Sequence, residues 1–381
     1  MKSTELMRKV AELRFRQGMK QPEIWEALQG EGTTIGTKGN LTPLSNFIDD
    51  AVVWLLDQQK ELEKRKAASS PQRELAKKLC DRFGLIDARV IPGGEIKEPL
   101  DYALLIRRYG EEAAAYFDEL CLASDTTKSE LHVAVSGGQP ILDMVSLLPD
   151  RNRSNVHFYT TALIGRSGMT KAPHVGSETN ATLAWARSGR LPERLHYATV
   201  APYDISLTDV RNADKRAQHD FATAEILAQK KLLTEERYVQ LALRNMDEVN
   251  VALAGLGVPH ATEFGPIHTE RLTMTGLLKP FGIDPEQLVR DGAVGDISYC
   301  LFDAEGNGKA SWQYFVTAGE NTKHAGVEFY RHMVSKGRQV IVIAGVGKEA
   351  ALRAALNAKA GKLLNVLITD QVKAQGLLKG K

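Results

Sequence analysis

Beyond residue 71 one pattern recurs and constrains the fold more than any other: a short β-branched or apolar run, a small-residue or glycine turn, then a helical pattern. Strands are expected at Ala88–Ile91, Leu131–Val135, Val156–Leu163, Leu195–Val200, Val249–Ala254, Val340–Ala344 and Leu364–Ile368. Helices are expected between them, at Tyr102–Leu122, Gln139–Leu148, Ser177–Arg187, Phe221–Asn245, Glu349–Leu356 and Gln371–Leu378. Parallel neighbours need long crossovers and helices supply them, so the pattern predicts one large α/β domain with a mostly parallel, Rossmann-like sheet.

The turns carry the chemistry. Ser136-Gly137-Gly138-Gln139 follows one strand and opens a helix, where backbone N–H groups and the helix N-terminus favour an anion such as a phosphate. Gly255-Leu256-Gly257 follows a second strand, Gly292-Ala293-Val294-Gly295-Asp296 precedes an apolar run, and Gly345-Val346-Gly347-Lys348 follows a third strand and opens another helix. Loops at the carboxyl ends of parallel strands share one edge of the sheet, so these turns are expected to converge on a ligand crevice. There Lys348 can reach a phosphate and Asp296 can accept hydrogen bonds from hydroxyl groups. The plainer readings are a solvated lysine and a carboxylate that caps its own turn.

Residues 1–66 read as a separate helical head. Leu6, Val10, Leu13 and Phe15 mark a first helix, Gln21–Leu28 a second with Ile24, Trp25 and Leu28 inward, and a third begins near Thr42-Pro43 and carries Phe47, Ala51, Val52, Leu55 and Leu56. Three helices joined by short turns suggest a helix-turn-helix, with residues 67–71 as linker and 72–381 as the effector domain.

Composition excludes several classes. With 43% hydrophobic and 25% charged residues in 381, the chain is an ordinary globular protein of two units. A net charge of +2 gives no global field for nucleic acid, so such contacts must be local. Cys80, Cys121 and Cys300 form neither a disulfide framework nor a zinc motif, and the nine histidines lack metal-binding spacing, so no metal and no cofactor are expected. No signal core or membrane span is visible, which points to the cytoplasm.

Gly292-Ala293-Val294-Gly295-Asp296-Ile297, followed by Phe302-Asp303 and Gly306, resembles the GAVGDI and F-D-x-x-G segments of the SorC/DeoR sugar-binding regulators. Ile341 to Lys348 resembles that family's A-G-G-x-x-K stretch with the lysine one residue early, and Val366 to Asp370 its L-I-T-D end. Ser136-Gly137-Gly138 and Gly255-Leu256-Gly257 stand where the family has glycine turns. The resemblance runs from about Pro71 to the C-terminus. It implies a fold similar to sugar-phosphate isomerases, used to sense a small phosphorylated sugar or related metabolite and not to transform it. It also implies a homo-oligomer, a tetramer, whose grip on double-stranded operator DNA changes with ligand. By matching positions, Gly137, Gly138 and Lys348 hold the phosphate, Asp296 contacts the sugar, and Arg166 stands where some members place a phosphate-binding arginine.

Two departures qualify the expectation. Gln139-Pro140 replaces hydroxyl or arginine residues after the first glycine turn, and Pro140 has no N–H to donate. In the head the third helix carries Asp49 and Asp50, with Asp57 beyond, which oppose phosphates. Lys20, Thr33, Thr34, Thr37, Lys38 and Asn40 remain as DNA-contact candidates. Besides a regulator, two functions stay open: a sugar-phosphate isomerase or deaminase using Asp296 with His132 or His260, and a metabolite sensor whose head binds protein.

Overall fold

A computed structural model describes residues 6, 9–10, 13–14, 19–30, 33, 35, 40, 43–44, 46–48, 51, 71–93, 96, 99–160, 177–189, 195–196, 246–259, 263–264, 267–268, 284–309, 312, 326–357, 359 and 361–379. They fall into two compact units: Met1–Pro71 with Gly93–Arg108 and Glu263–His268, and Gln72–Pro92 with Tyr109–Thr262 and Thr269–Lys381.

In the first unit, helix α1 (Gln21–Gly30) buries Ile24 and Leu28. Around them pack Val10, Leu13, Leu44, Ile48, Ala51 and Leu104, with Leu6, Trp25 and Phe47 partly buried. Ala51 is buried as the sequence pattern predicted and Phe47 packs against the core, with Leu44 and Ile48 as further core residues that the pattern did not name, while Phe15, Val52, Leu55 and Leu56 lie outside the described residues.

The second unit opens with α2 (Pro71–Phe83) and β1 (Asp87–Ile91), followed by α3 (Pro99–Thr127), whose residues group with the first unit up to Arg108. Then come β2 (Leu131–Val135), α4 (Gln139–Ser146), β3 (Val156–Thr160), α5 (Ser177–Ala186), β4 (Leu195–His196) and β5 (Val251–Gly257). The short strands β6 (Glu263–Phe264) and β7 (Ile267–His268) pair with each other and group with the first unit. The chain continues with α6 (Pro285–Arg290), the hairpin β8 (Gly295–Ile297) and β9 (Cys300–Phe302), α7 (Val327–Ser335), β10 (Gln339–Ile343), α8 (Glu349–Leu356), β11 (Val366–Asp370) and α9 (Gln371–Lys379). The Phe221–Asn245 helix expected from the sequence lies outside the described residues.

The sheet runs β1-β11-β10-β5-β2-β3-β4 and all six pairings are parallel, with the β8–β9 hairpin added antiparallel to the end of β5. A mostly parallel α/β sheet was expected and is what forms. Its central strands are near-continuous apolar runs because both faces are covered: Val251 to Ala254, Val340 to Ile343 and Val366 to Asp370 are all buried. From β2 the chain steps outward through β3 and β4, then returns to lay β5 on the other side of β2 and proceeds to β10 and β11. That reversal is a topological switch point between β2 and β5, and ligand crevices of open α/β sheets form at the carboxyl ends of such strands.

Candidate ligand crevice

At the end of β2, Ser136 is buried, its N–H donates to Leu253 O on β5 at 2.9 Å and its Oγ donates to Gly137 O at 3.0 Å. A Cβ on Gly255 would sit 3.2 Å from Gly137 O, so glycine on β5 lets the β2 turn lie against it. Gly138 adopts φ 109°, a conformation L-residues avoid, and no side chain caps the α4 N-terminus that follows. Two α5 residues hold this turn from behind. Ser177 Oγ donates to Val135 O at 2.6 Å, and the buried Asn180 donates through Nδ2 to Ser136 O at 3.0 Å and Gly138 O at 3.4 Å. The result is a fixed backbone turn at a helix N-terminus, the geometry that favours an anion.

At the end of β5 the register pairs Gly257 with Asp296 of β8. A Cβ on Gly257 would overlap the Asp296 carboxylate, whose Cγ would be only 2.8 Å away. Asp296 Oδ1 accepts the Tyr299 N–H at 3.0 Å, and the two-residue turn Ser298-Tyr299 has both residues at positive φ, 48° and 70°. Asp296 does cap its own turn, as the plainer reading of the sequence had it. Yet the carboxylate is buried, and burial pushes its pKa from 3.8 to about 6, against the pull of the Tyr299 amide and the Lys348 ammonium. Lys348 is partly buried at the start of α8, just after Gly347 at φ 75°, and no side chain caps that helix either. Desolvation holds its ammonium below the usual lysine range while Asp296 pulls it back up. A coupled acid and base, both short of solvation, form a site that gains from a polar ligand able to satisfy them.

The remaining strand ends are braced by residues the sequence reading missed. A Cβ on Gly345 would come 2.5 Å from the Tyr109 hydroxyl, and that hydroxyl donates to Asp370 Oδ2 at the end of β11. Asp370 Oδ1 in turn accepts the Lys373 N–H at 2.9 Å, capping α9. The only advance signal was the aspartate that closes the L-I-T-D segment; Asn180 and Tyr109 lie on helices and carried none.

Of the sequence candidates, Ser136, Gly137 and Gly255 adjoin one another, as do Gly257, Asp296 and Lys348, and β5 joins the two groups. Gln139 is exposed, and its Nε2 donates to Asp143 Oδ1 at 2.8 Å. Arg166 lies outside the described residues, as do Thr34, Thr37 and Lys38. In the head, Lys20 and Asn40 are exposed, Lys20 N–H donates to Glu23 Oε2 at 2.6 Å at the start of α1, and Thr33 N–H donates to Leu28 O at 2.9 Å. The acid-base pairing of Asp296 with His132 fails. His132 is the second residue of β2, at the amino edge, whereas Asp296 faces the carboxyl end of β5; His260 is outside the described residues. Among the described residues no helix is long and apolar enough to cross a membrane.

The parallel sheet thus gathers glycine turns, a buried carboxylate and a lysine around its switch point, the arrangement of an open α/β domain with a crevice at its strand ends. Residues 221–379 match the family model described as "Putative sugar-binding domain". The chain is 28% identical over 149 residues to the deoxyribonucleoside regulator of Bacillus subtilis (strain 168), an alignment covering 39% of this chain and 41% of that one. The match thus spans about two fifths of the curated relative's length. Among solved structures, the full-length sorbitol operon regulator SorC of Klebsiella pneumoniae superposes with a TM-score of 0.58 at 19% identity, covering 100% of both chains. The probable sor operon regulator of Shigella flexneri superposes with a TM-score of 0.56 at 19% identity, covering 81% of this chain and 100% of that one. All three relatives are described as regulators.

Proposed function

We propose that this chain is a cytoplasmic, ligand-responsive transcriptional regulator, whose second unit senses a small phosphorylated sugar and whose head, residues 1–66, binds operator DNA. The observation that carries the ligand half is the Asp296–Lys348 pair, two partly desolvated opposite charges beside Gly257 at the carboxyl end of a switch-point strand. Phosphate would rest on the Ser136-Gly137-Gly138-Gln139 turn with Lys348 adding its charge, while Asp296 accepts sugar hydroxyl groups; Gly255 and Gly257 keep the floor open and Arg166 adds a second cation. Pro140 removes one amide from the phosphate turn, so the cradle relies on fewer backbone donors and more on Lys348. Lys20, Thr33, Thr34, Thr37, Lys38 and Asn40 would contact DNA, with 67–71 as linker and a homotetramer as the working form. Ligand acts by favouring one arrangement of the heads, which requires different affinities for the two states.

The DNA half is tested with labelled duplex from the protein's own upstream region, in a mobility-shift assay with and without a phosphosugar that raises the melting temperature. The expected outcome is a salt-sensitive complex whose affinity changes about tenfold or more with ligand, consistent with ordinary allosteric coupling. Ligand stabilisation with no DNA complex at low salt would replace DNA with a protein partner for the head.

A further inference from the structure

At the opposite, amino edge of the sheet stands a second cluster that the ligand crevice does not use. His132 on β2 and His157 on β3 are register partners, so both rings project from the same face of adjacent strands. They stack at 4.5 Å between centroids and 4° between planes, each side chain about one seventh exposed, at 15% and 14%. Glu130, the residue before β2, reaches over both: its Oε2 lies 3.7 Å from His132 Nε2 and its Oε1 lies 3.6 Å from His157 Nε2. Ligand-type atoms of these three residues all lie within 4.8 Å of one another. On the far side of the first ring, His132 Nδ1 is 2.8 Å from the hydroxyl of the buried Tyr159 and 3.6 Å from Glu248 Oε2.

We infer that Glu130, His132 and His157 form a binding site for a divalent transition-metal ion of the zinc type. Two imidazoles facing one carboxylate across a common point are the donor set of three-ligand zinc sites, which keep a fourth position for water. The nitrogen-rich set disfavours magnesium or calcium, which take oxygen ligands. One metal ion would satisfy both histidine nitrogens and the carboxylate together. Tyr159 and Glu248 provide the outer partners that a metal-bound histidine needs at Nδ1, and they favour the tautomer with Nε2 free to bind. Bond lengths near 2 Å require the three atoms to close to roughly 3.4 Å from one another, so on binding the two parallel rings turn about their side-chain bonds until their nitrogens converge, and Glu130, exposed on the surface, closes over them. Sequence spacing pointed away from a metal because these histidines are far apart along the chain; the parallel register brings them together. The site joins the starts of β2 and β3 and reaches toward the segment before β5, so occupancy ties these two strands at the edge away from the crevice.

Chelator-treated full-length protein titrated with zinc in a calorimeter is expected to bind one equivalent per chain and to melt at a higher temperature in its presence. Cobalt in the same site is expected to give a visible spectrum without a sulfur charge-transfer band, which separates it from Cys80, Cys121 and Cys300. Glu130→Gln, at an exposed position that leaves the fold alone, is expected to weaken zinc at least about tenfold, and Tyr159→Phe, which touches no metal, about tenfold through the orientation of His132. The His132→Gln/His157→Gln double variant is expected to lose the equivalent. Absence of zinc binding by the parent, or undiminished binding by both Glu130→Gln and a folded double variant, overturns the assignment.

Discussion

Asp296 is held ionised at neutral pH in a place that disfavours charge. Its folded pKa of about 6 lies above the 3.8 of the free group. Between those values the folded protein keeps a proton that the unfolded chain has released. The carboxyl therefore adds stability as pH falls from about 6 towards 4, and above pH 6 its ionisation costs up to about 3 kcal/mol. Asp296→Asn is accordingly expected to raise the stability of the ligand-free protein at pH 7 by roughly 2 kcal/mol, read from urea denaturation, while removing ligand-induced stabilisation. In the parent, ligand affinity is expected to fall as pH is lowered through about 6, because a protonated Asp296 loses acceptor capacity. A destabilised Asp296→Asn protein would mean that the carboxylate is chiefly structural. The sequence named Asp296 and Lys348 from their glycine-rich turns and from motif positions, but the coupling between them comes from β8 folding back on β5, which no local pattern encodes.

Individual elements explain both what the motifs mean and what the pattern missed. The F-D-x-x-G segment forms a turn: Asp303 Oδ1 accepts the N–H groups of Glu305 and Asn307 at 3.0 and 2.8 Å, and Gly306 takes φ 81°. Gly292, at φ 95°, ends α6 in the same way, its N–H donating to Val289 O. Helix α2 went unread because its buried residues, Leu79 and Phe83, form a single narrow stripe in a charged segment. Helix α7 went unread because Arg331 interrupts its apolar face; that arginine is buried and donates to Gly306 O at 2.7 Å. A second buried arginine, Arg153, anchors the long helix α3: it donates to Asp118 Oδ1 at 2.7 Å and to the carbonyls of Pro149 and Arg187 at 3.0 Å each. Asp118→Ala strands that cation, with an expected cost of about 3 kcal/mol in chemical denaturation and no loss of ligand response. A change under about 1 kcal/mol would show that the carbonyls alone satisfy Arg153.

For the whole molecule, the legible part was the alternation of strand and helix, because strands buried on both faces must be apolar and their turns must hold glycine. The strand order was not legible, since nothing local tells β5 to return beside β2. That one placement creates the switch point, brings Gly255 against Gly137, and gives the glycine turns a common edge. The histidine pair lies at the opposite, amino end of β2, where it adjoins β3. The most direct test of the central claim is calorimetric titration of the full-length protein with a panel of sugar monophosphates, each beside its unphosphorylated sugar, on the parent and on Lys348→Ala. One sugar phosphate is expected to bind well ahead of its unphosphorylated counterpart, with at least about a hundredfold loss in Lys348→Ala, the scale of a broken partly buried charge contact. Equal binding of phosphorylated and free sugar, or full affinity in Lys348→Ala, would contradict a phosphosugar site at this crevice.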